Sequence, residues 1–176
     1  FEKKINQKIS KSFFLKKASF LARLGSGSAS RSIQGPIVSW GRSEFYNNSS
    51  QLFGTPINKI SEVFKSYQDS ILIIDKKEKK ISSSMGHDLM QSNPYAENRF
   101  FQANKNMGII KSILSSGDVK NFIKIVESEA LSLHAMMMTS YPSFILMKPN
   151  TLSVIDKVVK FRNSTSVPIC FTLDAG

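Results

Sequence analysis

Residues Gly25-Ser26-Gly27-Ser28-Ala29-Ser30-Arg31-Ser32 set four serines, two glycines and one arginine within eight positions. Glycine lets backbone N–H groups come close to a ligand. Serine supplies small hydroxyl donors, and arginine supplies a permanent forked cation suited to carboxylate or phosphate. The stretch therefore predicts an oxyanion pocket, with phosphate or diphosphate as the expected guest. A flexible Gly/Ser linker has a similar composition. Two features argue against a linker here. A helical apolar pattern runs straight into the stretch, and the apolar positions Ile37, Val38 and Trp40 follow it within a few residues.

Upstream, Phe14, Ala18 and Leu21 recur at i, i+4 and i+7 and predict the inward face of a helix over 1–24, broken near Ser10. Gly25 is expected to close that helix as a C-cap glycine. Lys11, Lys16, Lys17 and Arg23 are assigned to its wet face. Downstream, Gly35-Pro36 punctuates the chain, and Ile37 to Trp40 reads as a short strand ending at Gly41. Asn47-Asn48-Ser49-Ser50 and Gly54-Thr55-Pro56 read as loops in a region joining two subdomains.

Ser70 to Asp75, with Ile71, Leu72, Ile73 and Ile74, predicts a strand buried on both faces. The charged run Lys76–Lys80 and the triplet Ser82-Ser83-Ser84 follow. Asn93-Pro94 predicts a helix start, with Asn93 as the cap, and helical spacing continues from Phe100 through Ala103, Met107, Ile110 and Leu114 to Gly117. Asp118 is expected to cap a second helix whose inward face is Val119, Phe122, Ile123, Val126, Ala130 and Leu133. That helix runs into Met136-Met137-Met138, a cluster suited to adaptable core packing, and Tyr141-Pro142 breaks it. A third helix is expected over 151–162. Pro168 to Leu173 alternates as a closing strand that delivers Asp174. The resulting order is helix, strand, strand, helix, helix, helix, strand, which is α+β with helices on a mostly antiparallel sheet.

The 176 residues suffice for one domain or two small ones, and 41% of them are hydrophobic, enough for a buried core. Lys and Arg total 24 against 13 Asp and Glu, a net charge of +11 that suits a phosphate-rich partner. A single cysteine, Cys170, excludes an internal disulfide and a Cys-rich zinc site, and it fits a reducing compartment. His87 and His134 lack metal-ligand spacing, so no metal site is expected, and His134 is assigned to a semi-buried place on its helix. No apolar run approaches a membrane span. The chain opens on Phe1 without an initiator Met or a signal-peptide core and stops at Asp174-Ala175-Gly176, as if cut from something longer. Asp174, at a strand end beside small residues, is the candidate reacting carboxylate; a turn aspartate is the alternative. The charge and the 13 Phe also raise a nucleic-acid-binding module, but no aromatic-basic signature accompanies them and the Phe residues fall on helical core faces.

Three motifs carry a more specific resemblance: Ala22 to Ser32 followed by Gly35 and the strand Ile37 to Trp40; Leu133-His134-Ala135-Met136 with Thr139-Ser140-Tyr141-Pro142; and Phe171-Thr172-Leu173-Asp174-Ala175-Gly176. In that order and spacing they resemble the mevalonate diphosphate decarboxylase family of the GHMP kinase superfamily, and Ser82-Ser83-Ser84-x-Gly86 is similar to another loop of the family. The resemblance implies a two-domain GHMP-kinase-like fold. Residues 1–60 would be the remnant of a ribosomal-S5-like N-terminal domain, and 61–176 most of a ferredoxin-like C-terminal domain. It further implies ATP- and Mg²⁺-dependent decarboxylation of mevalonate 5-diphosphate to isopentenyl diphosphate, in the cytoplasm, without a nucleic-acid or membrane partner, and it admits a homodimer. A GHMP kinase that phosphorylates mevalonate derivatives without decarboxylation would look much the same.

Carried over residue by residue, Ser26, Gly27, Ser28, Ala29, Ser30 and Arg31 would hold the substrate, with Ser83 and Ser84 adding contacts. Arg31 and Asp174 would act at the reacting end. Ser30 departs from the family, which often has Cys there, and the family's Pro-Asn after Asp-Ala-Gly lies beyond Gly176. The family's first hundred or so residues, with most of the ATP site, precede the matching region, so this chain alone is expected to be inactive.

Overall fold

Lys11 to Gly25 contains no proline and no β-branched residue, and Lys, Leu, Ala and Arg favour the helical backbone. It forms α1 (Lys11–Gly25), capped by Ser10, whose Oγ accepts from the Phe13 N–H at 3.2 Å. The computed structural model describes residues 9–75 and 90–173. The chain divides into two compact units, Phe1–Lys65 and Ser66–Gly176.

In the first unit, the inward face of α1 differs from the expected one. Leu21 is 54% exposed, and Ser19 is fully buried. The half-buried Leu15, Ala18 and Ala22 flank Ser19 at helical spacing, because the wall that α1 meets is polar backbone as well as apolar side chain. Gly25 is the last helical residue rather than a left-handed cap. Ser26 takes the cap position in an extended conformation (φ −156°), and its N–H bonds to Ala22 O at 3.0 Å. The chain enters the next turn at once, so the reversal that a left-handed glycine provides is not used.

That next turn is a 3-10 helix, Gly27–Ser32. An antiparallel hairpin follows: β1 (Val38–Gly41) pairs with β2 (Ser50–Pro56) in the register Val38↔Pro56, Ser39↔Thr55 and Gly41↔Ser50, with an irregularity between Ser39 and Gly41. Gly41, at φ +110°, absorbs the irregularity in a conformation that side chains resist. Ser49 Oγ closes the connection by accepting from the Ser43 N–H and donating to Ser43 O, both at 2.9 Å. β2 corrects the loop expected at Gly54-Thr55-Pro56. Pro56 sits at the strand's end, where a missing donor costs little.

The second unit is helical. Asn93 starts a turn instead of capping the helix directly: its Oδ1 accepts from the Tyr95 N–H at 2.9 Å, and α2 (Ala96–Ser116) begins just beyond. The Asn93 amide donates to Met136 O and Thr139 Oγ1, each at 3.0 Å, and so ties this turn to the end of α3 (Val119–Met138). Gly117 ends α2 at φ +84°, and Asp118 caps α3 by accepting from the Asn121 N–H at 3.1 Å, both as the sequence predicts. Those hydrogen bonds hold the Asp118 carboxyl below the usual carboxylate range. Met90, Ala96 and Met136 pack together against Leu133. Arg99 on α2 pairs with Glu129 on α3, which also accepts from the Asn106 amide at 2.7 Å. α4 (Pro149–Thr165) extends beyond the predicted 151–162 at both ends. Its Arg162 grips Glu127 of α3 through two bonds, at 2.6 and 3.1 Å, and donates to Ile169 O at 2.7 Å.

Two predicted strands are corrected. Among the described residues, neither Ser70–Asp75 nor 168–173 pairs with another strand. Ile71 is 85% exposed, against the burial expected of a central strand. A strand exists only as part of a ladder, and an apolar run records a preference for burial without supplying the neighbour. Three residues before the first segment, the Tyr67 ring meets Phe122 of α3, with centroids 6.2 Å apart at 56°. Among the described residues, no helix is long and apolar enough to cross a membrane.

Candidate functional site

The polar stretch is a fixed turn. The Ala29 N–H bonds to Ser26 O at 3.0 Å, and Ser30 Oγ donates to Gly27 O at 2.9 Å. Ser30 is fully buried, so its hydroxyl shapes the turn from within. Ser26 and Ser28 point their hydroxyls outward, 3.2 Å apart, one donating to the other. Arg31 is exposed, and among the described residues it makes no ion pair and no hydrogen bond. The turn thus carries two adjacent exposed hydroxyls and an exposed arginine, donor types suited to a polyanion.

The sheet presses on this turn from two sides. A Cβ on Gly27 would lie 2.8 Å from Trp40 Cη2, and a Cβ on Gly54 would lie 2.6 Å from Val38 Cγ1 and 2.8 Å from Ser30 O. Gly54 needs glycine because the Ser30 backbone stands in the space of a side chain, whereas at Gly27 the obstacle is the end of the Trp40 ring. Trp40 is held in turn by its indole N–H, which donates to Gln51 O at 3.0 Å. The surroundings are cationic. Residues 9–65 carry eight Lys and Arg against only Glu44 and Glu62. Lys16 and Arg23 lie over the rings of Phe53 and Phe20 at 5.3 and 5.4 Å.

Of the predicted site residues, Ser26, Gly27, Ser28, Ala29, Ser30 and Arg31 share this turn, whereas Ser83, Ser84 and Asp174 lie outside the described residues. So do Lys76–Lys80 and His87. His134 is buried, at 3% exposure, within α3. Burial and the nearby Glu127 push the Cys170 thiol up. Sequence reasoning overlooked Ser19, Gly54 and Trp40 as supports of the turn. A serine amid the apolar positions of α1 and a glycine inside a β-prone run were the available signals.

This mixed helix-and-strand chain has the GHMP kinase fold, α+β as expected: it superposes on the mevalonate diphosphate decarboxylase of Staphylococcus aureus with a TM-score of 0.78 and 25% identity, over 97% of this chain and 49% of that one. Diphosphomevalonate decarboxylase of Candida albicans is 27% identical over 160 residues, 89% of this chain and 43% of the relative. Phosphomevalonate decarboxylase of Haloferax volcanii is 30% identical over 86 residues, 46% of this chain and 26% of the relative. Residues 70–176 match the model of the mevalonate 5-diphosphate decarboxylase C-terminal domain. The chain belongs to the mevalonate 5-diphosphate decarboxylase family, and it spans half or less of the length of these relatives.

Proposed function

We propose that this chain forms the substrate-holding part of an ATP-dependent decarboxylase that converts mevalonate 5-diphosphate to isopentenyl diphosphate. The observation that carries this reading is the exposed Arg31, without an ion pair among the described residues, on the same fixed turn as the paired Ser26 and Ser28 hydroxyls. Ser26, Ser28 and the turn backbone at Gly27 and Ala29 bind the substrate, including its diphosphate, and Ser30 sets their shape from inside. Arg31 pairs with the substrate carboxylate and steadies Asp174, and Asp174 takes or orients the proton of the 3-hydroxyl. Ser83 and Ser84 add contacts to the substrate.

ATP supplies the phosphoryl group that turns the tertiary hydroxyl into a leaving group. A solved neighbour described as MDDEF in complex with MVAPP, AMPPCP and Magnesium supports ATP and Mg²⁺ as co-reactants. Among the described residues, no group of three or more His, Cys, Asp or Glu gathers to hold a metal ion, so none is assigned to Mg²⁺. Residues 1–60 belong to the N-terminal S5-like domain and 61–176 to the ferredoxin-like domain of a cytoplasmic enzyme, and these residues alone do not turn over.

The test is Arg31→Lys beside Arg31→Ala in the complete enzyme. A point charge does not reproduce a fork on a carboxylate, and losing a charge-assisted bond in a desolvated site costs on the order of 2–5 kcal/mol. Both variants are therefore expected to lose most of kcat/KM. An Arg31→Lys enzyme that keeps it would refute the bidentate role. The phosphomevalonate decarboxylase relative favours a second reading, a monophosphate substrate. Comparing kcat/KM for mevalonate 5-phosphate and 5-diphosphate decides between the two, with the diphosphate expected to win.

A further inference from the structure

We propose that Ser19 is the positioning residue of the Ser26–Arg31 turn, acting on substrate affinity through Ser30 and Arg31 without touching the substrate. This rests on the reading of the turn as the substrate seat. A serine inside a helix ordinarily turns its hydroxyl to the preceding turn's carbonyl or to water. Ser19 bonds instead to two other elements: its Oγ donates to Ser30 O at 2.6 Å and accepts from the Gly54 N–H at 2.8 Å, in full burial. One hydroxyl thereby joins α1, the turn and β2.

The next residue after Ser30 is Arg31, whose Cα lies 3.4 Å from where a Gly54 Cβ would stand. The Ser30–Arg31 backbone is thus gripped by Ser19 from one element and by the bare Cα of Gly54 from another, while the guanidinium stays exposed. Such a site is ordered before the anion arrives, so binding does not have to order it. Removing the hydroxyl strands two buried backbone groups, the Gly54 N–H and the Ser30 carbonyl. The turn then relaxes to satisfy them, and Arg31 leaves its place.

The experiment measures KM for mevalonate 5-diphosphate, kcat and melting temperature for Ser19→Ala, Arg31→Ala and the double variant in the complete enzyme. Expected is a rise of about tenfold in KM for Ser19→Ala, with any fall in kcat no larger than that of Arg31→Ala, because Arg31 is assigned to the reacting end as well as to binding. In the Arg31→Ala background, Ser19→Ala should add less than about twofold, since residues acting through one contact are not additive. A lower melting temperature with unchanged KM for Ser19→Ala, while Arg31→Ala is impaired, leaves the reading of the turn standing and overturns the positioning role. Unchanged KM in Arg31→Ala overturns the reading of the turn and the proposal with it. Should Ser19→Ala fail to fold, Ser19→Cys keeps the size of the side chain while weakening both of its hydrogen bonds. It carries the same expected rise in KM, and an unchanged KM there overturns the proposal.

Discussion

The turn at Gly27–Ser32 and the segment at Ser70–Asp75 have opposite compositions, and their burial is opposite to what those compositions lead one to expect. The polar turn encloses Ser30 completely, because Ser19, Gly27 and Gly54 meet its carbonyl, its hydroxyl and its backbone. The apolar segment exposes Ile71, Leu72 and Ile73, because no strand among the described residues pairs with it. In these two regions burial follows the supply of partners. A polar residue with all its bonds made costs nothing to enclose, and an apolar one without a neighbouring surface stays out. The tail at 166–173 stands between the two cases. It has no ladder among the described residues, yet Arg162 reaches it through the Ile169 carbonyl while holding Glu127.

Removing the grip on that tail should produce the largest effect. Arg162→Ala leaves Glu127 largely buried without its cation, and breaking such a pair costs several kcal/mol in full burial. Both side chains retain some exposure, so the expected loss is about 2–3 kcal/mol by urea unfolding. Amide exchange across 167–173 should rise at the same time. A loss below about 0.5 kcal/mol would place the tail with Ser70–Asp75 instead of between the two cases.

A smaller effect is expected for Ser30→Ala, which deprives Gly27 O of its hydroxyl partner inside the turn. About 1–2 kcal/mol should be lost, and thermal melting of the variant measures it. Stability equal to wild type would mean that the turn is enclosed for some reason other than its internal bonds.

Ile71→Ser should change stability by less than about 0.5 kcal/mol, as an exposed substitution does. Truncating a buried isoleucine costs about 2–5 kcal/mol. A cost in that range would show that the segment is covered after all, and the contrast with the turn would collapse.

Where a rule depends on adjacent residues, the sequence could be read directly. Gly117 needs a positive φ to end α2, and Asp118 needs only the Asn121 N–H three residues on, so the α2–α3 junction was legible to the residue. That Gly25–Ser32 is an ordered turn and not a flexible linker was legible from the apolar patterns on either side of it. What escaped depends on distant partners. β2 hid behind Gly54 and Pro56, whose usual meaning is a loop; Gly54 is glycine because Val38 and Ser30 crowd it from elsewhere in the chain. The inward face of α1 was misplaced because periodicity counts carbon and overlooks Ser19, a hydroxyl needed by two backbones. Ser70–Asp75 and Pro168–Leu173 announced a wish for a sheet, but a run of Ile and Leu cannot state which strand will lie beside it.

The contact between Trp40 and Gly27 gives the site an optical signal of its own. This chain has a single tryptophan, and its indole stands where a side chain on Gly27 would be, one edge against the turn and part of the ring in solvent. Indole emission follows the polarity and mobility of what surrounds the ring. An anion seated on Ser26 and Ser28, as proposed, would change both within one residue of that contact, and intrinsic fluorescence would then titrate occupancy of the turn without a label, a coupled assay or turnover.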